Sequence, residues 1–313
     1  MTALRIGTRG SALALWQANH VRGAIDNCCG LAAEIVVVKT SGDQFAAAPV
    51  EQIGVIGIFT KELEDALLDG RADLAVHSMK DVPTEISPVC KISTVFKRED
   101  PRDALVSHGG ERLDKLPSGA RIGTSSLRRA SQLRQFRPDL QIIELRGNVD
   151  TRLRKVAEGE YDAIILAKAG IDRLGYSSRI TEVLAPEIIL PAVGQGALGV
   201  EFLESRENDL TAVEKLVDAD TMWAVQAERA LLKRVQGGCR LPLGAWARFE
   251  AGDMVIDACV LAADGSESIR RRAKGIVKST RDAEFLGDRV ADELLGAGAE
   301  RLLQLAGRSL GPA

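Results

Sequence analysis

Two short stretches of this chain repeat one another, and the repeat limits the folds open to it. Arg5-Ile6-Gly7-Thr8 returns as Arg121-Ile122-Gly123-Thr124, each followed by serine and a segment with helical spacing. Further along, Gly70-x-x-Asp73 precedes the apolar run Leu74-Ala75-Val76, and Gly159-x-x-Asp162 precedes Ala163-Ile164-Ile165-Leu166. Short apolar runs after a glycine turn read as buried strands of an α/β sheet. A strand, a turn and a helix start, used twice, predict two lobes facing a shared cleft. Their turns are anion-receptive, because a helix N-terminus presents unpaired N–H groups. The matched segments are brief, so chance is the competing reading.

The first run ends in polar residues. Ala72 to Pro83 reads A-D-L-A-V-H-S-M-K-D-V-P. His77, Ser78, Lys80 and Asp81 are expected just past the strand's carboxyl end, where open α/β sheets bind ligands. Pro83 keeps its predecessor out of the helical region, so Lys80 to Val82 is expected to be extended or in a turn facing the crevice. Taken alone, an Asp beside a Lys in a loop is more often a solvated ion pair. A single His at a buried strand end is more often a satisfied structural group than a catalytic one, and His77 is read that way.

At 313 residues the chain exceeds a typical single core, so two or three domains are expected. Lys plus Arg total 41 against 44 Asp plus Glu, which argues against a dedicated nucleic-acid binder. The opening M-T-A-L-R-I-G runs almost directly into a strand, and no apolar run reaches membrane-spanning length, so a cytoplasmic location and no membrane partner are expected. The five cysteines form no C-x-x-C pair, and four read as ordinary core or surface thiols. The arginines are unevenly spread. Arg121, Arg128, Arg129, Arg134, Arg137, Arg146, Arg152, Arg154, Arg173 and Arg179 crowd one region with few lysines. Some belong to solvated helix faces, but the preference for a planar fork suits carboxylate or phosphate recognition.

Along the chain, Leu4 to Thr8 predicts a strand and Leu13 to about Cys28 a helix capped by Ser11, with Arg9 in the turn between. Glu34 to Thr40 predicts a strand, and Phe59 to Leu68 a helix. A second unit is expected from about Asp103. There Thr124-Ser125-Ser126 caps a helix whose opening turns carry Arg128 and Arg129, so hydroxyls, helix end and guanidiniums are expected to point at one anion. Ile142 to Leu145 predicts a strand, Arg146-Gly147-Asn148 opens the next helix, and Arg152 shares its first turns. Arg173 follows the Ala163 to Ala167 strand in the same sense. Leu190 to Ala197 reads as a flexible crossover. A helix over Asp220 to Val235, three strands near Gly244 to Phe249, Val255 to Ala262 and Ser268 to Lys274, and one long helix from about Arg281 to Leu305 predict a small α+β domain. Gly237-Gly238 lets the backbone bring Cys239 close to another surface, although a buried structural thiol is the commoner fate of a cysteine.

The motifs H-S-M-K-D-V-P (His77 to Pro83), G-T-R-G-S (Gly7 to Ser11), G-T-S-S-L-R-R (Gly123 to Arg129), L-R-G-N-V-D-T-R-L (Leu145 to Leu153), L-P-A-V-G-Q-G-A (Leu190 to Ala197) and G-G-C (Gly237 to Cys239) occur in this order. Over essentially its whole length the sequence resembles the porphobilinogen deaminase family. The resemblance implies an α/β fold with two periplasmic-binding-protein-like lobes flanking a cleft plus a small α+β C-terminal domain. The implied divisions are 1–98 with 195–216, 99–194, and 217–313. It implies a transferase that condenses four porphobilinogens head to tail onto a dipyrromethane held by thioether to Cys239, with loss of ammonia, and then hydrolyses off the tetrapyrrole.

Each condensation implied by the resemblance expels an aminomethyl group, leaving a cationic azafulvene, and later takes a proton from the attacked pyrrole carbon. One carboxylate can serve both steps, and the resemblance places it at Asp81. Cofactor contacts are expected from Ser78, Lys80, Asp81, Thr124, Ser125, Ser126, Arg128, Arg129, Arg146 and Gly147. Substrate contacts are expected from Arg9, Ser11, Phe59, Asn148, Arg152, Arg173 and Gln195, while Gln195 and Asn148 have turn stabilisation as an equal alternative. No metal is implied, and a monomer is expected. The chain departs from the family in the loop before Phe59, where Gln52-Ile53-Gly54-Val55-Ile56-Gly57-Ile58 stands for a lysine-bearing glycine run; Val50 to Ile58 is expected to be a lid closing by apolar packing. A non-enzymatic anion-binding module is the rival reading, because fold alone does not assign activity.

Overall fold

The computed structural model describes residues 3–39, 60–206, 211–235 and 241–309. In chain order the described elements are β1 (Leu4–Thr8), α1 (Ala12–Cys29), β2 (Ala33–Val37), α2 (Lys61–Leu68), β3 (Leu74–Ser78), β4 (Cys90–Val95), β5 (Asp103–Ser107), β6 (Arg121–Gly123), α3 (Leu127–Phe136), β7 (Gln141–Ile143), α4 (Val149–Ala157), β8 (Ala163–Ala167), α5 (Lys168–Arg173), β9 (Glu182–Val183), β10 (Leu198–Leu203), α6 (Thr211–Glu214), α7 (Ala219–Arg234), β11 (Leu243–Glu250), β12 (Asp253–Leu261), β13 (Ser268–Gly275), α8 (Thr280–Gly296) and α9 (Ala299–Ser309). They fall into two units, Met1–Glu99 with Ala197–Met222, and Asp100–Gly196 with Trp223–Ala313.

The first unit is a lobe with sheet order β2-β1-β3-β10-β4, and the second contains a lobe with order β7-β6-β8-β5-β9. In each, the middle strand pairs in parallel with two neighbours (β1 with β2 and β3, β6 with β7 and β8). In each, the third strand of that trio then meets an antiparallel partner from elsewhere in the chain, β10 or β5. The lobes therefore share one topology, as the repeated motifs require. Their cores are separate: Ile6, Leu74, Val76 and Val200 meet Ala18, Val21 and Ile25 of α1 in the first, whereas Leu105, Ile122 and Ile165 meet Leu133 of α3 in the second.

The repeated residues clasp strand entries. Arg5 donates its backbone N–H and Nε to Asp73 Oδ2 at 2.8 and 3.1 Å and Nη1 to the Gly70 carbonyl. Arg121 donates its N–H and Nε to Asp162 Oδ2 at 2.7 and 3.3 Å and Nη2 to the Gly159 carbonyl. The same three positions thus close the same ring in both lobes, at the amino ends of the parallel strands. In the first lobe Arg206 joins the clasp on Asp73. Burial alone would raise the Asp73 carboxyl, but the Arg5 and Arg206 bonds outweigh it and hold the pKa at about 2. Between that value and the unfolded value near 3.9 the folded state binds fewer protons, so the contribution is complete above the window and fades as pH falls through it. Discounted for the exposure of Arg5, it is about 1 kcal/mol. Asp73→Asn is therefore expected to lower the urea midpoint at pH 7 and to flatten the stability loss between pH 4 and 2, as a midpoint series across pH would record.

The C-terminal part of the second unit is an antiparallel meander, β11-β12-β13. Met254, Ile256, Ala258 and Val260 of β12 face a core with Leu231 of α7, Leu286, Val290 and Leu294 of α8, and Leu302 of α9. The other face of β12 puts Cys259 and Leu261 against Leu190. All three strands stand where the sequence puts them. The single helix expected from Arg281 to Leu305 is two, because Gly298 takes φ 95° directly after the Gly296 and Ala297 helix end. The apolar period continues across the break, which hid it.

Candidate active site

In the first lobe, β1 and β3 deliver their carboxyl ends side by side. Ser11 Oγ accepts the Ala14 N–H at 3.3 Å and caps α1, leaving Arg9 in the turn as expected. Arg9, Ser11, Gln17, His77, Ser78 and Asp81 line one cavity of about 70 Å³. Gln17 donates Nε2 to Ser78 Oγ at 2.8 Å, so α1 holds the serine. His77 and Ser78 lie within β3 rather than beyond it. The strand is lengthened by β10, whose Leu198 and Gly199 pair with Ser78 and His77, a partner too distant in sequence for local reasoning. Met79–Asp81 then makes one 3-10 turn, with Val82 N–H returning to the Met79 carbonyl. Met79 donates its N–H to the Ala197 carbonyl at 3.0 Å, and a Cβ at Gly199 would collide with the Met79 sulfur. The turn is therefore seated directly on β10, which presents Asp81 exposed and Lys80 half-buried.

In the second lobe the feature that sequence reasoning missed is Asp103, which is fully buried. Arg128 donates Nη1 to its Oδ2 at 2.6 Å, and Arg129 donates Nη2 to Oδ1 at 2.7 Å. Gln195 adds Nε2 to Oδ1 at 2.9 Å and to the Pro101 carbonyl at 2.6 Å. Burial works against ionisation of Asp103, yet the two guanidiniums prevail and hold it far below the usual carboxylate range. Arg128, in turn, is lowered by burial but stays a cation. Two cations and one anion leave one net positive charge inside the lobe, beside the N-terminus of α3. That is an environment for a bound anion.

The expected convergence is thus rearranged. Arg128 and Arg129 turn onto Asp103 rather than outward with the Thr124 to Ser126 hydroxyls. Ser126 caps α3, Thr124 Oγ1 accepts the Ser126 N–H, and Ser125 Oγ both donates to the Leu145 carbonyl at 2.6 Å and accepts the Leu145 N–H. Arg146 is half-buried and pairs Nε with Glu144 at 2.7 Å. Gly147 has φ 112°, Asn148 caps α4 through the Thr151 N–H, and Arg152 donates Nε to the Gly147 carbonyl. These turns sit at the carboxyl ends of β6 and β7, where sequence places them. Arg173 does not stand at a strand end; it closes α5 and donates Nη2 to the Gly196 carbonyl at 2.7 Å. The Leu190 to Ala197 crossover, expected to be flexible, is anchored on the second unit by Arg128 and Gln132 at Leu190, Glu228 at Gly194, and Gln195 at Asp103. Of the five cysteines, Cys28 is exposed, Cys29 half-buried, and Cys90 and Cys259 buried. Cys239, Phe59 and the loop Val50 to Ile58 lie outside the described residues.

The class that fold and site define is a two-lobed α/β protein, with a carboxylate at a strand-end cavity in the first lobe and a buried cationic cluster in the second. Residues 4–211 match the family model "Porphobilinogen deaminase, dipyromethane cofactor binding domain", and residues 222–296 match "Porphobilinogen deaminase, C-terminal domain". A porphobilinogen deaminase of Syntrophobacter fumaroxidans is 47% identical over 302 residues, covering 96% of this chain and 97% of that one. The chain belongs to the porphobilinogen deaminase family. It is an enzyme of tetrapyrrole synthesis that uses a dipyrromethane cofactor to join four porphobilinogens head to tail with release of ammonia, and then hydrolyses off hydroxymethylbilane. Solved structures similar to it include a periplasmic substrate-binding protein of an ABC transporter from Coxiella burnetii, at 16% identity over 72% of this chain and 96% of that one with a TM-score of 0.41. The BvgS VFT2 domain of Bordetella pertussis matches at 15% over 68% of this chain and 86% of that one, also with a TM-score of 0.41. Among the described residues no helix is long and apolar enough to cross a membrane.

Proposed function

We propose that the proton transfers of this reaction run on Asp81 and that the dipyrromethane is held by thioether to Cys239. The observation that carries the reading is the Met79–Asp81 turn seated on β10, which sets an exposed carboxylate at the mouth of a cavity also lined by Arg9, Ser11 and Ser78. The cofactor's acidic arms suit the donors present. The buried Asp103 cluster with its net positive charge, the α3 N-terminus at Thr124 to Ser126, and the Arg146 and Gly147 turn form a set made for carboxylates. Thr124, Ser125, Ser126, Arg146 and Gly147 would hold those arms, with Arg128 and Arg129 as the cationic base beneath and Ser78 and Lys80 on the first lobe. When bound, the cofactor supplies the anchored pyrrole to which incoming units are added.

The remaining roles belong to this chain's own side chains. Arg9, Ser11, Asn148, Arg152 and Arg173 receive acetate and propionate groups, Gln195 keeps the crossover on Asp103, and Phe59 is assigned to substrate binding. Asp81 as carboxylate stabilises positive charge on the reacting pyrrole through its N–H, and then accepts the proton lost from the attacked carbon. A C–C bond forms, the aminomethyl C–N bond breaks, and the nitrogen leaves as ammonia. We take the protein to be a monomeric cytoplasmic transferase divided at 1–98 with 195–216, 99–194 and 217–313, acting on a small molecule rather than nucleic acid or membrane. Intact mass tests the attachment: the purified protein should exceed its sequence mass by one dipyrromethane, and Cys239→Ala should lose both the increment and turnover. An unmodified wild type with full activity would overturn the assignment.

A further inference from the structure

The wall of the Asp81 cavity conceals a second acid–base pair. Glu201 lies on β10 with 1% of its surface exposed, and its Oε2 is 2.8 Å from His77 Nε2, itself 5% exposed. Glu201 Oε1 makes no hydrogen bond with any described residue. His77 immediately precedes Ser78 on β3 and lines the same cavity as Asp81. A buried carboxylate bonded to one ring nitrogen fixes the orientation and tautomer of an imidazole, and a low-dielectric wall makes their shared proton felt nearby.

Other ionisable groups also face the pair and its cavity. From α2, Glu64 faces it with Asp65 behind; from β4, Cys90 does; Arg9 reaches the cavity from the β1–α1 turn; and α1 contributes only the uncharged Leu13, Ala14 and Gln17. Burial and the nearby Glu201 raise Glu64, and burial with Glu201 and Glu64 pushes the Cys90 thiol up to about 11. Both neighbours therefore resist carrying negative charge beside Glu201.

We propose that Glu201, acting through His77, is a positioning residue for proton transfer at Asp81. The inference rests on the reading of Asp81 as proton carrier. In each condensation Asp81 alternates between carboxylate and carboxylic acid. The proton between Glu201 and His77 can shift toward or away from the imidazole to offset that change, and the pair neither gains nor loses a proton over the cycle. The pair also sits on the two strands that carry the Asp81 turn, so the field and the geometry at Asp81 have a common source.

The test uses holoenzyme whose cofactor loading is verified by intact mass. Glu201→Gln should lower kcat roughly tenfold with little change in KM, and should move the acidic limb of the kcat profile by about half a pH unit or more. In an Asp81→Asn background the same change should add little, because residues acting as one unit are non-additive. A lower melting temperature with an unmoved pH limb and near-normal kcat would make the pair purely structural and overturn the inference. Glu201→Asp, which keeps the charge but draws it back from His77, decides the question by the same two readouts if Glu201→Gln does not fold. Near-normal turnover in Asp81→Asn would overturn the reading of Asp81 itself. A crippled Asp81→Asn beside an unshifted Glu201→Gln would overturn only the role of the pair.

Discussion

Asp103→Ala is expected to destabilise the second lobe by about 3–5 kcal/mol, the range for removing one partner from a buried ion cluster. Asp103 is fully buried, and Arg128 and Arg129 expose 5% and 7% of their surfaces, so no solvent stands ready to replace the lost carboxylate. Two guanidiniums would then face each other across a dry interior, and Gln195 would lose one of its two acceptors. The urea midpoint of the purified variant reads the effect on stability. Mass spectrometry should show reduced dipyrromethane loading as well, because the base beneath the Thr124 to Ser126 turn is displaced. A stability within about 1 kcal/mol of wild type would show that the cluster is dispensable, and would return Arg128 and Arg129 to the role of anion ligands at the α3 N-terminus.

Asp81→Asn is expected to leave the fold and its melting temperature unchanged while lowering turnover by at least about a hundredfold, the scale of a lost acid–base group. The carboxylate is exposed at the end of a 3-10 turn whose backbone is fixed by Met79 and β10, so the amide fits without strain. What it loses is charge next to a developing cation and a site for the departing proton. Ammonia release from cofactor-loaded protein is the direct measurement. Near-normal release would move the proton to another group, and Ser78, whose hydroxyl accepts from Gln17 at 2.8 Å, could not stand in as a carboxylate would.

Much of the architecture was legible because it is local. Leu4 to Thr8 is followed by a two-residue turn and Ser11, which caps the next helix, and the strand and cap fall where that pattern puts them. The three C-terminal strands announce themselves as strand-like runs with turns between them. Other boundaries were set by partners. β2 stops at Val37 instead of running to Thr40, because its neighbour β1 ends at Thr8, with which Val37 is paired. β3 runs on through His77 and Ser78 because β10 returns to pair with them.

The candidate site divides the same way. Sequence by itself determined which residue types stand at the ends of β1, β3, β6 and β7, since a strand, a turn and a cap are specified by neighbours along the chain. It also determined the repeated Arg and Asp of the two clasps, although the letters did not reveal that they bond. Only the tertiary structure decided where the charges go. Asp103 lies far from Arg128, Arg129 and Gln195 in the chain, and Glu201 lies far from His77. A buried charge must find its counter-charge wherever the fold brings one, so these partners follow from sheet order and not from spacing. That is why arginines expected to point at one bound anion prove to be held from beneath by an aspartate, and why an unremarked strand glutamate pairs with His77, far from it in sequence.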